Sequence, residues 1–260
     1  MKVFLVFLKK EFLGGLRSKK LLICLIMFAL IGMLSPFTAK IMPDLMASMM
    51  PESIEITIAD PTAIDAWLQF YSNIGTIGLL VFVVLFTDTL SAEIAQGTFI
   101  QLITKGLPKT TIVCAKAGYL TILWSLSYLL SASVSAFYTL IYFDDSSAAQ
   151  VPSALFSYWL FGLLAISILL LGSSFAKSIY QGLLFIGVCY LIGLLGSLWS
   201  QLTNWNPYSL SSQFPNYLAN QIKLGELLPA LLLTCFLIIA CLTGSIACLL
   251  YTSPSPRDTR

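Results

Sequence analysis

Residues 118–143 read GYLTILWSLSYLLSASVSAFYTLIYF, 26 residues without a single charge. As an α-helix this run would be about 39 Å long, more than the ~30 Å hydrocarbon core of a bilayer. Five further segments have the same character: 21–37, 74–90, 154–175, 182–202 and 227–247. Of the 260 residues, 58% are apolar and 10% charged. A soluble domain carries about 25% charged and about 45–50% apolar residues, so the solvent for this chain is lipid. The expected fold is an all-α integral membrane protein. It has six transmembrane helices preceded by an N-terminal amphipathic interfacial helix, with both termini cytosolic. The first two segments are short, but Asp60-Pro61 reads as an N-cap followed by proline at the first helical position. A helix over 61–90 would be about 45 Å long and stand above the membrane.

Loop charge sets the orientation. With a cytosolic N-terminus, Lys2, Lys9, Lys10, Arg17, Lys19, Lys20, Lys105, Lys109, Lys116 and Lys177 fall inside, against Lys40 and Lys223 outside. The positive-inside rule decides for this arrangement. Asp44, Glu52, Glu55, Asp60, Asp65, Asp144, Asp145 and Glu226 then lie outside. Trp67, Trp159, Trp199, Trp205 and Tyr208 fall near the outer ends, as an interfacial belt would. Lys19-Lys20 before an apolar run has the outline of a signal peptide, but no small-x-small cleavage site follows Phe37.

Before the first span, Phe4, Leu5, Leu8, Phe12 and Leu16 share one helical arc, and Lys2, Lys9, Lys10 and Arg17 another. Val3, Val6, Phe7 and Leu13 blur the polar side. Such a helix lies in the inner interface with its cations toward anionic headgroups. Ser127, Ser131 and Ser135 recur every four residues, as do Gly193, Gly196, Ser197 and Ser200. Small residues at that spacing let helices approach closely in lipid.

The composition also excludes chemistry. There is no histidine, so His bases, His metal ligands and Ser-His-Asp triads are absent. Six cysteines sit in or beside apolar runs with no C-x-x-C pair, which suits packing better than zinc or redox work. Asp88, near the inner end of the second span, reads as a boundary acid facing the cytosolic loop. Ionisable residues at membrane depth mark pumps and relays, and the other spans hold none. No G-x-x-x-x-G-K-[ST] occurs, so the chain has no phosphate cradle for ATP. The chain is not expected to be an enzyme or to hold a cofactor.

The densest polar element is the loop over 91–116 between the second and third spans. Ile94, Ala95, Thr98, Phe99, Leu102 and Ile103 keep helical spacing, and Glu93, Gln96 and Gln101 take other faces. Gly106 supplies a stop and Pro108 a fresh helical start. The expected element is a short amphipathic helix at the cytosolic surface.

Glu93, Gly97-Thr98, Leu102, Lys105 and Lys109, with Lys116 opening the next span, resemble the cytosolic signature of type-2 ATP-binding-cassette permeases. That signature reads roughly E-x3-G-T, a leucine run, a turn with proline or glycine, a basic residue and then lysine. The N-terminal helix, six spans and inside termini also match, so the resemblance covers 1–247. Gly106-Leu107 departs from it where a proline often follows the leucine run. The resemblance implies a dimeric transmembrane pathway, homo- or heterodimeric, usually for export. A separate cytosolic ATP-binding-cassette ATPase binds the ATP. It assigns coupling to Glu93, Gly97, Thr98, Phe99, Leu102, Lys105 and Lys109. The chain then divides into an interfacial elbow helix over 1–20 and a permease domain over 21–247.

Residues 248–260 stand apart from this layout, since 248–258 resembles the translation of a transposase sequencing adaptor. Expected surroundings are the bilayer of a bacterial plasma membrane, with no nucleic-acid partner. A non-transporting membrane anchor, assembly factor or sensor subunit shares the topology without needing an ATPase at the loop. An intramembrane enzyme would need catalytic residues at membrane depth, which the spans lack.

Overall fold

The computed structural model describes residues 2–49, 60–91, 108–143, 148, 150–176, 178–199 and 203–252. Every regular element among them is helical. α1 (Lys2–Arg17) ends where Lys19 takes a left-handed backbone, φ 59°, and α2 (Lys20–Met49) starts at once. α3 (Ala63–Asn73) continues through a π-helical turn (Ile74–Gly78) into α4 (Leu79–Phe86). α5 (Lys109–Tyr142), α6 (Val151–Phe175) and α7 (Ile179–Gly196) follow. Two short helices, α8 (Ser209–Ser212) and α9 (Phe214–Leu218), and a 3-10 turn (Leu224–Leu227) lead into α10 (Leu228–Thr252).

Five of these stretches are long and apolar enough to cross a membrane: Lys20–Leu45, Ala63–Phe86, Lys109–Tyr142, Val151–Phe175 and Leu224–Leu249. The remaining expected span, the fifth in chain order, is shorter than expected. α7 holds 18 residues, about 27 Å, and stops at Gly196 rather than near residue 202. The reason lies in Asn206, whose amide donates to the Gly193 carbonyl at 2.7 Å and caps the helix from its side. The Ser197 hydroxyl caps the Leu194 carbonyl at 2.6 Å.

Contacts fix an alternating course. The start of α2 meets the end of α4, and Ala39 near its other end clusters with Ala63, Ala66 and Phe143. α5 and α6 run antiparallel, because Trp124 Nε1 donates to Trp159 O and Tyr128 Oη to Leu155 O. Gly172 of α6 lies against Phe185 of α7, and Gly244 of α10 against Leu171. The bundle thus has a loop end, where α1 lies, and a far end.

α2 is longer than its apolar run because two prolines fail to stop it. Pro36 and Pro43 each remove one backbone donor, yet the helix continues through both, with Ser35 Oγ donating to Ile31 O and Thr38 Oγ1 to Leu34 O around the first of them. The second span begins two residues later than expected. Thr62, not Asp60, is the N-cap. Its N–H and Oγ1–H both donate to the Asp65 carboxylate, at 2.9 and 2.8 Å, in a T-x-x-D capping box.

α5 is the axis of the core. Ser127, Ser131 and Ser135 are buried against α2, as the spacing predicts. A Cβ on Gly32 would stand 2.3 Å from the Ser131 carbonyl oxygen, so the two backbones meet there without side chains between them. The next layer is aromatic. Trp124 meets Phe28 at 5.7 Å, Phe82 at 5.3 Å and Tyr128 at 5.6 Å between ring centroids. Its indole edge fills the space over Gly162, where a Cβ would lie 2.1 Å from the ring. Trp67 belongs to this core rather than to an interfacial belt, buried beside Phe70 at 5.5 Å. Trp199 and Trp205 do remain exposed, as belt residues are.

Candidate coupling site

The loop end holds the charges that the spans exclude. α1 packs on the first turns of α5 through Phe4, Leu8 and Phe12, with Phe7 buried beside them. Gly118 lets Phe4 and Leu8 lie close, and the Phe12 and Tyr119 rings meet edge-on at 5.0 Å. The buried stripe therefore runs 4, 7, 8, 11 and 12, at helical spacing. This corrects the expected arc in two places: Phe7 is one of the most buried residues of α1, while Leu5 and Leu16 are exposed.

Glu11 sits in the middle of that stripe. Its carboxylate accepts from Lys116 Nζ at 3.2 Å and from Lys10 Nζ at 3.1 Å. The Lys116 side chain is only 2% exposed, so this is a desolvated ion pair between α1 and α5. In the same cleft, Lys20 Nζ bridges both oxygens of Asp88, at 2.7 and 2.8 Å. That pair ties the start of α2 to the residues just after α4. Lys10, Glu11, Ser18, Lys20, Asp88 and Lys116 line one cleft of about 260 Å³.

The two pairs stand at the two stems of the segment 92–107. Asp88 precedes it and Lys116 follows it. A third tie holds the same stem: Lys109 Nζ donates to the Leu249 carbonyl at 3.0 Å, near the end of α10. A lysine there satisfies a carbonyl of the last helical turn and suits the negative end of the helix dipole. Thr87, Ser91 and Tyr119, also at this end, have buried hydroxyls with no hydrogen-bond partner among the described residues.

Of the residues expected to couple, Lys109 lies in the described part, and Pro108 stands at the N-cap of α5 as its reading required. Glu93, Gly97, Thr98, Phe99, Leu102 and Lys105 lie outside the described residues. Asp88, read as a boundary acid facing the loop, has its carboxylate held by Lys20. Glu11 was missed. The signal was an acid four residues after Phe7 and seven after Phe4, on the apolar face, which only a partner from another segment explains. Among the described residues no group of His, Cys, Asp and Glu could hold a metal ion.

The site is a set of ties between helices at one end of a membrane helix bundle. Residues 5–206 match the family described as ABC-2 family transporter protein, and the chain belongs to that family. Members of this membrane family generally partner with ABC ATPases. The chain is also 22% identical over 216 residues to the uncharacterized transmembrane protein YxlG of Bacillus subtilis (strain 168). That similarity covers 82% of this chain and 84% of the relative.

Proposed function

We propose that this chain is the permease subunit of an ATP-driven exporter, working as one of a pair in the plasma membrane. A separate ABC ATPase hydrolyses the ATP. The observation that supports this best is the set of ties around 92–107. A loop that receives force must be joined stiffly to the helices it moves. Here Lys20–Asp88, Glu11–Lys116 and Lys109–Leu249 connect its stems to α1, α2 and α10. Closure of the ATPases would push the loop, and the ties would transmit the displacement to α4 and α5 together.

In this reading six crossings place both termini and the tied end in the cytosol, with α7 as the fifth crossing. Cysteines introduced at Ser53, Ser146 and Ser212, in a chain without its native cysteines, should react with an impermeant thiol reagent outside intact cells. Ser212 is exposed at the far end of the bundle. A cysteine at Gln101 should stay unlabelled until the membrane is opened. Labelling of Gln101 from outside would reverse the orientation.

The loop itself is tested by substitution. Exposed ion pairs contribute about 0–1 kcal/mol each, so apolar anchors should dominate ATPase affinity. Phe99→Ala is expected to weaken co-purification of the ATPase by more than Glu93→Ala does. Gly97→Pro is expected to separate ATP hydrolysis from transport. Association and coupling that survive both Phe99→Ala and Gly97→Pro would remove the loop from the mechanism.

A further inference from the structure

A second feature lies away from the ties, between α4, α6, α7 and α10. These helices border a partly open cavity of about 380 Å³. Pockets that take small molecules run from about 300 to about 1,000 Å³, with mostly apolar walls and a few placed polar groups. Here the walls are Leu79, Leu164, Ile168, Phe185, Ile186 and Leu237, and they give no hydrogen-bonding side chain. From Phe161 to Leu171 along α6 the cavity is about 15 Å long.

Its amide and phenol groups sit at one end, the far end, and apart from them only the weakly polar thiols of Cys189 and Cys241 line it. Asn206 is fixed there by its bonds to Gly193 O at 2.7 Å and from Tyr208 N at 3.0 Å. Gly193 leaves the room, since a Cβ would touch Tyr208 at 3.4 Å. The Tyr190 hydroxyl donates to that of Tyr208 at 3.4 Å, which leaves the Tyr208 O–H to be given elsewhere. The second amide hydrogen of Asn206 is the other donor. No lysine or arginine lines the cavity.

We infer that this cavity binds one single-acyl-chain phospholipid, its chain between α6, α7 and α10 and its ester carbonyl accepting from Tyr208 and Asn206. The shape and the segregation of polarity carry the assignment. An acyl chain is what surrounds membrane helices, a volume of about 380 Å³ takes one chain rather than two, and two neutral donors suit a neutral carbonyl. Binding needs no ATPase, so it can fail while the permease reading stands, and the reverse.

The probe is a lysophospholipid with a photoreactive diazirine in its acyl chain, added to the purified full chain in lipid nanodiscs. Cross-links mapped by mass spectrometry should concentrate on Leu164, Ile168, Phe185 and Leu237. They should exceed those on the exposed residues Leu129 and Leu232 by at least tenfold. Ala165→Phe, which fills the cavity, should abolish the concentrated labelling, while Leu232→Phe should leave it unchanged. Unlabelled lysophospholipid should compete at least tenfold better than a fatty alcohol of equal chain length, and Tyr208→Phe should erase that difference. Labelling spread evenly over lipid-facing residues of the unaltered chain would overturn the site. So would cross-links to a second copy of the chain in its place. Equal competition by the fatty alcohol would overturn the role given to Tyr208 and Asn206.

Discussion

Glu11→Ala should destabilise the folded protein by about 3 kcal/mol and abolish coupled transport, because it strips the carboxylate from a lysine that is 2% exposed. Breaking a buried pair from one side costs more than the pair is worth, since the remaining charge stays in a low-dielectric place. Replacing both members with apolar side chains removes that penalty. Glu11→Leu combined with Lys116→Met should therefore recover most of the stability that Glu11→Ala loses. Lys20 and Asp88 give the contrast. Their side chains are 33% and 28% exposed, and Asp88→Asn should cost about 1 kcal/mol or less. Thermal unfolding in detergent orders the three variants. Equal losses for Glu11→Ala and Asp88→Asn would show that burial does not set the strength of these ties.

The second large effect concerns two glycines. Gly32→Val must separate α2 from α5, because its Cβ would be 2.3 Å from a backbone oxygen that cannot move alone. Gly162→Val drives a side chain into Trp124, whose ring is held by Phe28, Phe82 and Tyr128. Overpacking of this kind costs about 1–3 kcal/mol, and at a backbone contact the upper part of that range applies. At about 2–4 °C per kcal/mol for a chain of this size, either variant should lower the unfolding temperature by roughly 5–10 °C or fail to accumulate in the membrane. Gly187→Ala is the control, since nothing lies within 4 Å of its Cβ position, and it should be neutral or slightly stabilising. A Gly32→Val protein with unchanged stability would contradict the close approach of these helices.

How far the sequence led depends on the kind of signal each element carries. The spans announce themselves because hydrophobic length is additive and local. The serine stripe of α5 was legible for the same reason, as a four-residue spacing. Helix ends were less so. Thr62 took the cap expected of Asp60 because Asp65 sits three residues after it, and α7 was cut short by Asn206, ten residues beyond its last turn. Ties between segments were not legible at all. Glu11 and Lys116 are 105 residues apart, and only packing of α1 on α5 brings them together. The same holds for the bond from Lys109 to the Leu249 carbonyl in the last turn of α10, 140 residues away in the chain.

If a separate ATPase moves this chain through its tied loop, the two proteins must stay together when the membrane is dissolved. The most direct measurement is purification of the affinity-tagged chain from its native membranes under mild detergent, followed by identification and quantification of what stays bound. The account predicts an ABC ATPase in equimolar amount with the permease. ATP hydrolysis by that ATPase in vesicles should rise with the unaltered chain, but not with the Gly97→Pro chain. A chain that purifies without any ATPase, or an ATPase whose hydrolysis ignores its presence, would contradict it.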